Sequence, residues 1–149
     1  MMVSGPFATR FFCTKNNSCF TFIEGISMRD DAATTVAELK DAIERFAEAR
    51  DWKQFHDPKN LAMALASEVG ELMEHFRWLT NDQSKLVALD PEILPFVESE
   101  LADVVMLALE FAVACKIDVA GAVRMKLSVN EERYPIDKAK GSNRKYNRL

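Results

Sequence analysis

From Thr34 to Arg50 the apolar residues fall at Val36, Leu39, Ile43 and Phe46, with lysine, glutamate and arginine opposite them. That 3.6-residue period predicts an amphipathic helix. Arg50 to Pro58 reads as a connecting loop, in which Asp57 caps a second helix and Pro58 takes its first position. This helix is expected to run to about Leu79. Thr80 to Asp90 is polar and aperiodic, a loop with room for one short helical turn. Asp90-Pro91 repeats the cap signal, and a third helix is expected to reach about Lys116. Asp118 caps a fourth, which ends between Asn130 and Arg133, before Tyr134-Pro135. After Met28 no alternating run of strand length competes with these helices. The pattern predicts an all-α fold, a bundle of four main helices. The second and third are apolar round most of their circumference, so a partner subunit is expected to cover them.

Two acidic pairs interrupt the apolar stripes. Glu68 and Glu71 on the second helix, and Glu100 and Asp103 on the third, are each spaced i, i+3, about one turn apart on one face. At about 100° per residue, Glu68 points into the sector of Leu61, Leu65, Leu72 and Leu79. Glu100 points with Ile93, Phe96, Val104, Leu107 and Phe111. A carboxylate inside an apolar stripe is costly unless a cation, a hydrogen bond or a proton compensates it. Two helices doing this together predict one shared metal site, with Mg²⁺ as the hard cation that suits oxygen donors. Acidic residues on helices usually face water, and Glu74 and Glu98, which lie off these stripes, read that way. A di-iron site is disfavoured, because Leu72 stands three residues before His75 and the third helix has no histidine.

Composition changes this picture in three places. Within 149 residues and a net charge of −4 there is a marked asymmetry. Residues 31–110 hold 17 acidic and 7 basic side chains, whereas residues 124–149 hold 8 basic and 3 acidic. An acidic body beside a basic end can gather cations in one place and phosphates in another. The overall acidity argues against a nucleic-acid polymer as partner. The longest apolar run, Leu101 to Cys115, contains Asp103 and Glu110 and is too short to span a membrane. The three cysteines, Cys13, Cys19 and Cys115, have no zinc spacing and fit a reducing, cytoplasmic compartment. Up to Ile23 there is no acidic residue, a weak likeness to a transit peptide. The preferred reading is instead that Met28 is the natural start. Residues 1–33 are thus expected to be a disordered extension, 34–135 the domain, and 136–149 a basic tail.

Arg50-Asp51-Trp52-Lys53-Gln54-Phe55-His56, Asn60-Leu61, Glu68-Val69-Gly70-Glu71-Leu72-Met73-Glu74 and Glu100-Leu101-Ala102-Asp103-Val104 together resemble the all-α, MazG-like nucleoside triphosphate pyrophosphohydrolases. The dCTP pyrophosphatase branch is the most similar. Between Glu71 and Glu100 lie 28 residues, a spacing that branch tolerates. Glu131 to Pro135 and Gly141 to Tyr146 also look like its C-terminal end.

The resemblance implies cleavage of a nucleoside triphosphate between its α and β phosphates, yielding monophosphate and pyrophosphate. It implies Glu68, Glu71, Glu100 and Asp103 as Mg²⁺ ligands and catalytic acids, in a homodimer or homotetramer. Trp52 and Trp78 match positions that line the nucleobase pocket, and large aromatic faces do stack on bases. Lys126, Asn130 and Arg133 share one face of the fourth helix and correspond to contacts with phosphate or sugar. By their positions along the chain, His56, near Trp52, is expected to border the site, and His75 and Glu110 to stand behind the acidic residues. Some members of the branch carry a histidine and a tyrosine in the base pocket where this chain has Ile43 and Leu107. That departure predicts looser selection for cytosine, since discrimination among bases relies on placed hydrogen bonds. The substrate is expected to be dCTP, a modified dCTP or a broader set of triphosphates. The competing expectations are a non-catalytic helical oligomerisation protein and an all-α hydrolase like the deoxyuridine triphosphatases.

Overall fold

A computed structural model describes residues 31–148, together with the backbone of residues 11–13 and 19–21. In those two short segments β1 (Phe11–Cys13) pairs antiparallel with β2 (Cys19–Thr21), Phe11 opposite Thr21. The remainder of the expected N-terminal extension up to residue 30, Met28 included, lies outside the described residues.

The helices start where the sequence supplies caps. α1 (Val36–Glu48) opens on a capping box. Thr35 Oγ1 accepts from the Glu38 N–H at 3.2 Å, while Glu38 Oε2 accepts from the Thr35 N–H at 2.8 Å. α2 (Pro58–Glu74) has Pro58 in its first turn as expected, but the Asp57 side chain makes no capping bond. α3 (Asn81–Leu86) repeats the capping box with Thr80 and Gln83. Before α4 (Leu94–Ala114), Asp90 Oδ1 accepts from the Glu92 and Ile93 N–H groups at 2.9 and 3.2 Å. That turn delays the helix beyond the start that Asp90-Pro91 suggests. α5 (Val119–Arg133) is capped by Asp118, whose Oδ1 accepts from the Gly121 N–H at 3.1 Å. α6 (Ile136–Ala139) is a single turn.

α2 stops at Glu74, short of the expected Leu79. The Phe76, Arg77 and Leu79 N–H groups reach back three residues instead of four, which tightens the chain into turns. α4 closes without a glycine. Lys116 adopts a left-handed φ of 55°, the Ile117 N–H donates to the Ala112 carbonyl at 2.8 Å, and the Lys116 N–H donates to that of Val113 at 3.0 Å.

α2 packs along α4, and α1 packs against the C-terminal half of α4. The buried core is small: Ile43 and Ala47 of α1, Leu61 of α2, Leu109 and Ala112 of α4, and Val87. Lys40 Nζ donates to the Ile117 carbonyl at 3.0 Å, just past the end of α4. The first turn of α1 therefore overshoots its support, and Val36 and Leu39 of the predicted stripe stay exposed. α5 stands largely clear of this three-helix body. Val123, Met125 and Leu127 on it are exposed, as are Met63, Val69 and Met73 on α2 and Leu101, Val105 and Met106 on α4. The apolar excess read from the sequence is thus present as uncovered surface. In the C-terminal tail Tyr146 packs edge-on against Tyr134 at 6.0 Å, with the Arg133 guanidinium 5.1 Å from its ring.

No helix among the described residues is long and apolar enough to cross a membrane.

Candidate active site

The stripes that carry the acids face each other. Leu61, Leu65, Glu68 and Leu72 on α2, and Glu100, Asp103, Val104 and Leu107 on α4, are all buried or half-buried. Packing the two apolar faces together forces their carboxylates into one seam. Glu68, Glu71 and Glu100 each offer a carboxylate oxygen, and these oxygens lie within 4.8 Å of one another. Asp103 is not in that trio, yet its charge is felt there. The Glu68 carboxyl is held above the usual carboxylate range, first by partial burial and then by the negative charges of Glu71, Asp103 and Glu100. A seam that disfavours its own ionisation is relieved by a hard divalent cation, and a convergent set of oxygens is the donor set such a cation takes. The acids therefore fit a bound divalent metal.

The other expected site residues are dispersed within one chain. Trp52 and Trp78 stand at opposite ends of α2, a helix about 25 Å long at 1.5 Å per residue. They do not line one pocket in a single chain. Trp52 begins a 3₁₀ turn, Trp52–Phe55, that enters α2. Its ring lies 5.8 Å from Phe46 and 6.4 Å from His56, both edge-on. Trp78 is 81% exposed, and the Arg77 guanidinium lies 4.8 Å from its ring. Lys126 and Arg133 are exposed on α5 and Asn130 is half-buried, so the basic face is not gathered onto the acidic seam. His75 stacks on Phe96 at 6.4 Å, joining the end of α2 to the start of α4.

One grouping was only half legible in the sequence. The turn that carries Trp52 is anchored by Lys53 Nζ, which bonds Glu44 Oε1 at 2.6 Å and Glu48 Oε1 at 2.5 Å. These hydrogen bonds, Glu44 first, raise the Lys53 pKa. The anchoring brings His56 Nδ1 to 2.6 Å from Glu110 Oε1, both side chains largely buried. The pair lines a half-open cleft of about 260 Å³ between α1 and α4, walled by Ile43 and Val113. The signal for it was Glu110 itself, a charge inside the apolar run Leu101 to Cys115. Its partner lies 54 residues earlier, at a distance that no periodicity reports.

No protein-family model matches the chain. Curated relatives do. Over 115 residues it is 38% identical to human dCTP pyrophosphatase 1, an alignment covering 77% of this chain and 68% of the human protein. The bovine dCTP pyrophosphatase 1 is 36% identical over the same shares. Among solved structures, a pyrophosphatase from Archaeoglobus fulgidus superposes with a TM-score of 0.62 at 33% identity, covering 74% of this chain and 98% of that one.

Proposed function

The chain belongs to the dCTP pyrophosphatase family, a MazG-like, all-α branch of the nucleotide pyrophosphohydrolases, and from that premise we propose that it is a Mg²⁺-dependent nucleoside triphosphate pyrophosphohydrolase. Its substrates are dCTP-like or non-standard nucleoside triphosphates. Water cleaves the anhydride between the α and β phosphates, giving a monophosphate and pyrophosphate, and so removes the triphosphate from the pool. The observation that carries this reading is the convergence of Glu68, Glu71 and Glu100 across the α2–α4 seam.

Glu68, Glu71, Glu100 and Asp103 would hold the metal. When bound, Mg²⁺ supplies Lewis-acid polarisation of the phosphoryl oxygens and offsets the charge of the polyphosphate. A triphosphate carries about four negative charges near neutral pH, and an acidic seam repels it unless cations intervene. The carboxylates then do two jobs: they fix the position of the reacting phosphates, and one of them accepts the proton that the attacking water loses. Lys126, Asn130 and Arg133 contact phosphate or sugar from α5, whose separation from the seam favours delivery by a second copy of the chain. The uncovered apolar faces of α2, α4 and α5 support a homodimer or homotetramer. Trp52 stacks on the base. The expected location is cytoplasmic, where nucleotide pools are maintained.

The test is release of pyrophosphate and of orthophosphate from each common dNTP and NTP, with Mg²⁺ and with EDTA. Metal-dependent pyrophosphate matched by monophosphate is the expected result. Orthophosphate with the diphosphate, or no product from any nucleotide, would overturn the reading.

A further inference from the structure

The cleft between α1 and α4 contains four charged or titratable groups, and only two of them satisfy each other. Lys53 and Glu44 are joined in an ion pair. His56 and Glu110 are close but poorly joined: Nδ1 and Oε1 approach to 2.6 Å, yet His56 Nδ1 remains a buried nitrogen without an aligned hydrogen bond. A buried polar atom left in that state is costly, and a bound polar group would relieve it. The rest of the wall, Ile43 and Val113, is apolar, so His56 and Glu110 are the cleft's polar groups outside the Lys53–Glu44 ion pair.

Position relates the cleft to the acidic seam. Glu110 lies seven residues past Asp103, two turns along α4, so both point to nearly the same side and stand about 10.5 Å apart along the axis. That span is comparable to the reach of a nucleotide from its α phosphorus to the far edge of its base. Leu107 lies between them on the same face, half-buried. The Trp52 ring lies edge-on to His56 at 6.4 Å and is 44% exposed, so one of its faces is open for stacking. A volume of about 260 Å³ suits a single-ring base.

We propose that Glu110, positioned by His56, is the specificity determinant that reads the exocyclic amino group of a cytosine-type base in this cleft. A carboxylate can only accept hydrogen bonds when ionised, so it welcomes an amino group and repels the keto oxygen at the same position of uracil or thymine. Oε1 faces His56, which leaves the second oxygen free to accept from the amino group. His56 is a positioning residue in this scheme. Its ring, 2.6 Å from Glu110 Oε1, limits where that carboxylate can turn. The proposal rests on the pyrophosphohydrolase reading given above, and it names which of this chain's own groups does the selecting.

The experiment compares the wild-type chain with Glu110→Gln and His56→Gln, by two readouts. The first is the ratio of kcat/KM for dCTP to that for dUTP, with Mg²⁺. The second is calorimetric binding of dCMP and dUMP, which needs no turnover. Glu110→Gln presents an amide that can donate, so the dCTP to dUTP ratio should fall about tenfold or more, and dUMP binding should strengthen relative to dCMP. His56→Gln should lower the same ratio by a smaller factor while leaving the Mg²⁺ dependence of turnover unchanged. A wild-type chain that hydrolyses triphosphates without favouring dCTP over dUTP would overturn the proposal and leave the pyrophosphohydrolase reading intact. So would a ratio and a binding preference that survive Glu110→Gln. No pyrophosphate from any nucleotide would overturn both.

Discussion

The α2–α4 seam and helix α5 are built from similar material and end in opposite states. Both are helical and mix apolar with charged side chains. In the seam the apolar sides meet, and Leu61, Leu109 and Ala112 are buried while Glu68, Glu100 and Asp103 are drawn inward with them. On α5 the apolar residues Val123, Met125 and Leu127 stay exposed beside Lys126. Local sequence is enough to make a helix. A charged group acquires an unusual environment only where packing removes water from it.

The sharpest way to break this contrast is a matched pair of truncations. Leu109→Ala should destabilise the fold by about 2–5 kcal/mol, because it opens a cavity in a packed site. Leu127→Ala, at a side chain 56% exposed, should leave the melting temperature of the dilute chain nearly unchanged and weaken self-association instead. Thermal melts over a range of protein concentrations separate the two, and equal losses from both would show that α5 is packed within one chain.

Next in size is the basic face. Lys126→Ala and Asn130→Ala should each raise KM for the triphosphate by about tenfold, the weight of a charge-assisted or well-placed hydrogen bond, with little change in melting temperature. Steady-state kinetics alongside far-UV circular dichroism checks this. A large loss of helix with either variant would place α5 in the core after all.

A smaller effect sharpens the electrostatics of the seam. The folded chain raises the Glu68 pKa, so folding favours the protonated carboxyl. The stability this contributes is present below the ordinary glutamate range and is lost as pH rises through the raised, folded-state value. Glu68→Gln should therefore raise the melting temperature of the metal-free protein at neutral pH, and the advantage should shrink as pH falls through that window. Melts in EDTA across a pH series read this directly. A variant less stable at neutral pH would mean that Glu68 is held by a favourable partner.

Smallest is Lys116→Gly, which relieves a side chain in left-handed conformation and should stabilise the end of α4 by about 1 kcal/mol, seen as a modest rise in melting temperature.

Much of this architecture was legible in the sequence, for a physical reason. Caps and periodicity are local, and they predicted α1, α2, α4 and α5 through Val36 and Leu39, Pro58 and Asp118. Glu68 and Glu100 stood out because an apolar stripe makes a carboxylate conspicuous, and the two helices do bring them together. What was not legible depends on where the chain turns. Leu79 continues the apolar period of α2, but Thr80 has its own cap to make and the helix ends at Glu74. Trp52 and Trp78 look like neighbours of one helix, and its length holds them apart. His56 and Glu110 meet because Lys53 ties its turn to α1, a bond between residues that carry no pattern in common.

Turnover of dCTP by Glu71→Gln in saturating Mg²⁺, with helical content followed in parallel, decides whether the α2–α4 acids are the hydrolytic centre. Loss of a carboxylate that holds the metal should cost more than about a hundredfold in kcat/KM, beyond what groups that merely orient such a ligand contribute, with helicity intact. Turnover close to wild type in a folded Glu71→Gln chain would contradict the assignment of the α2–α4 seam as the hydrolytic centre.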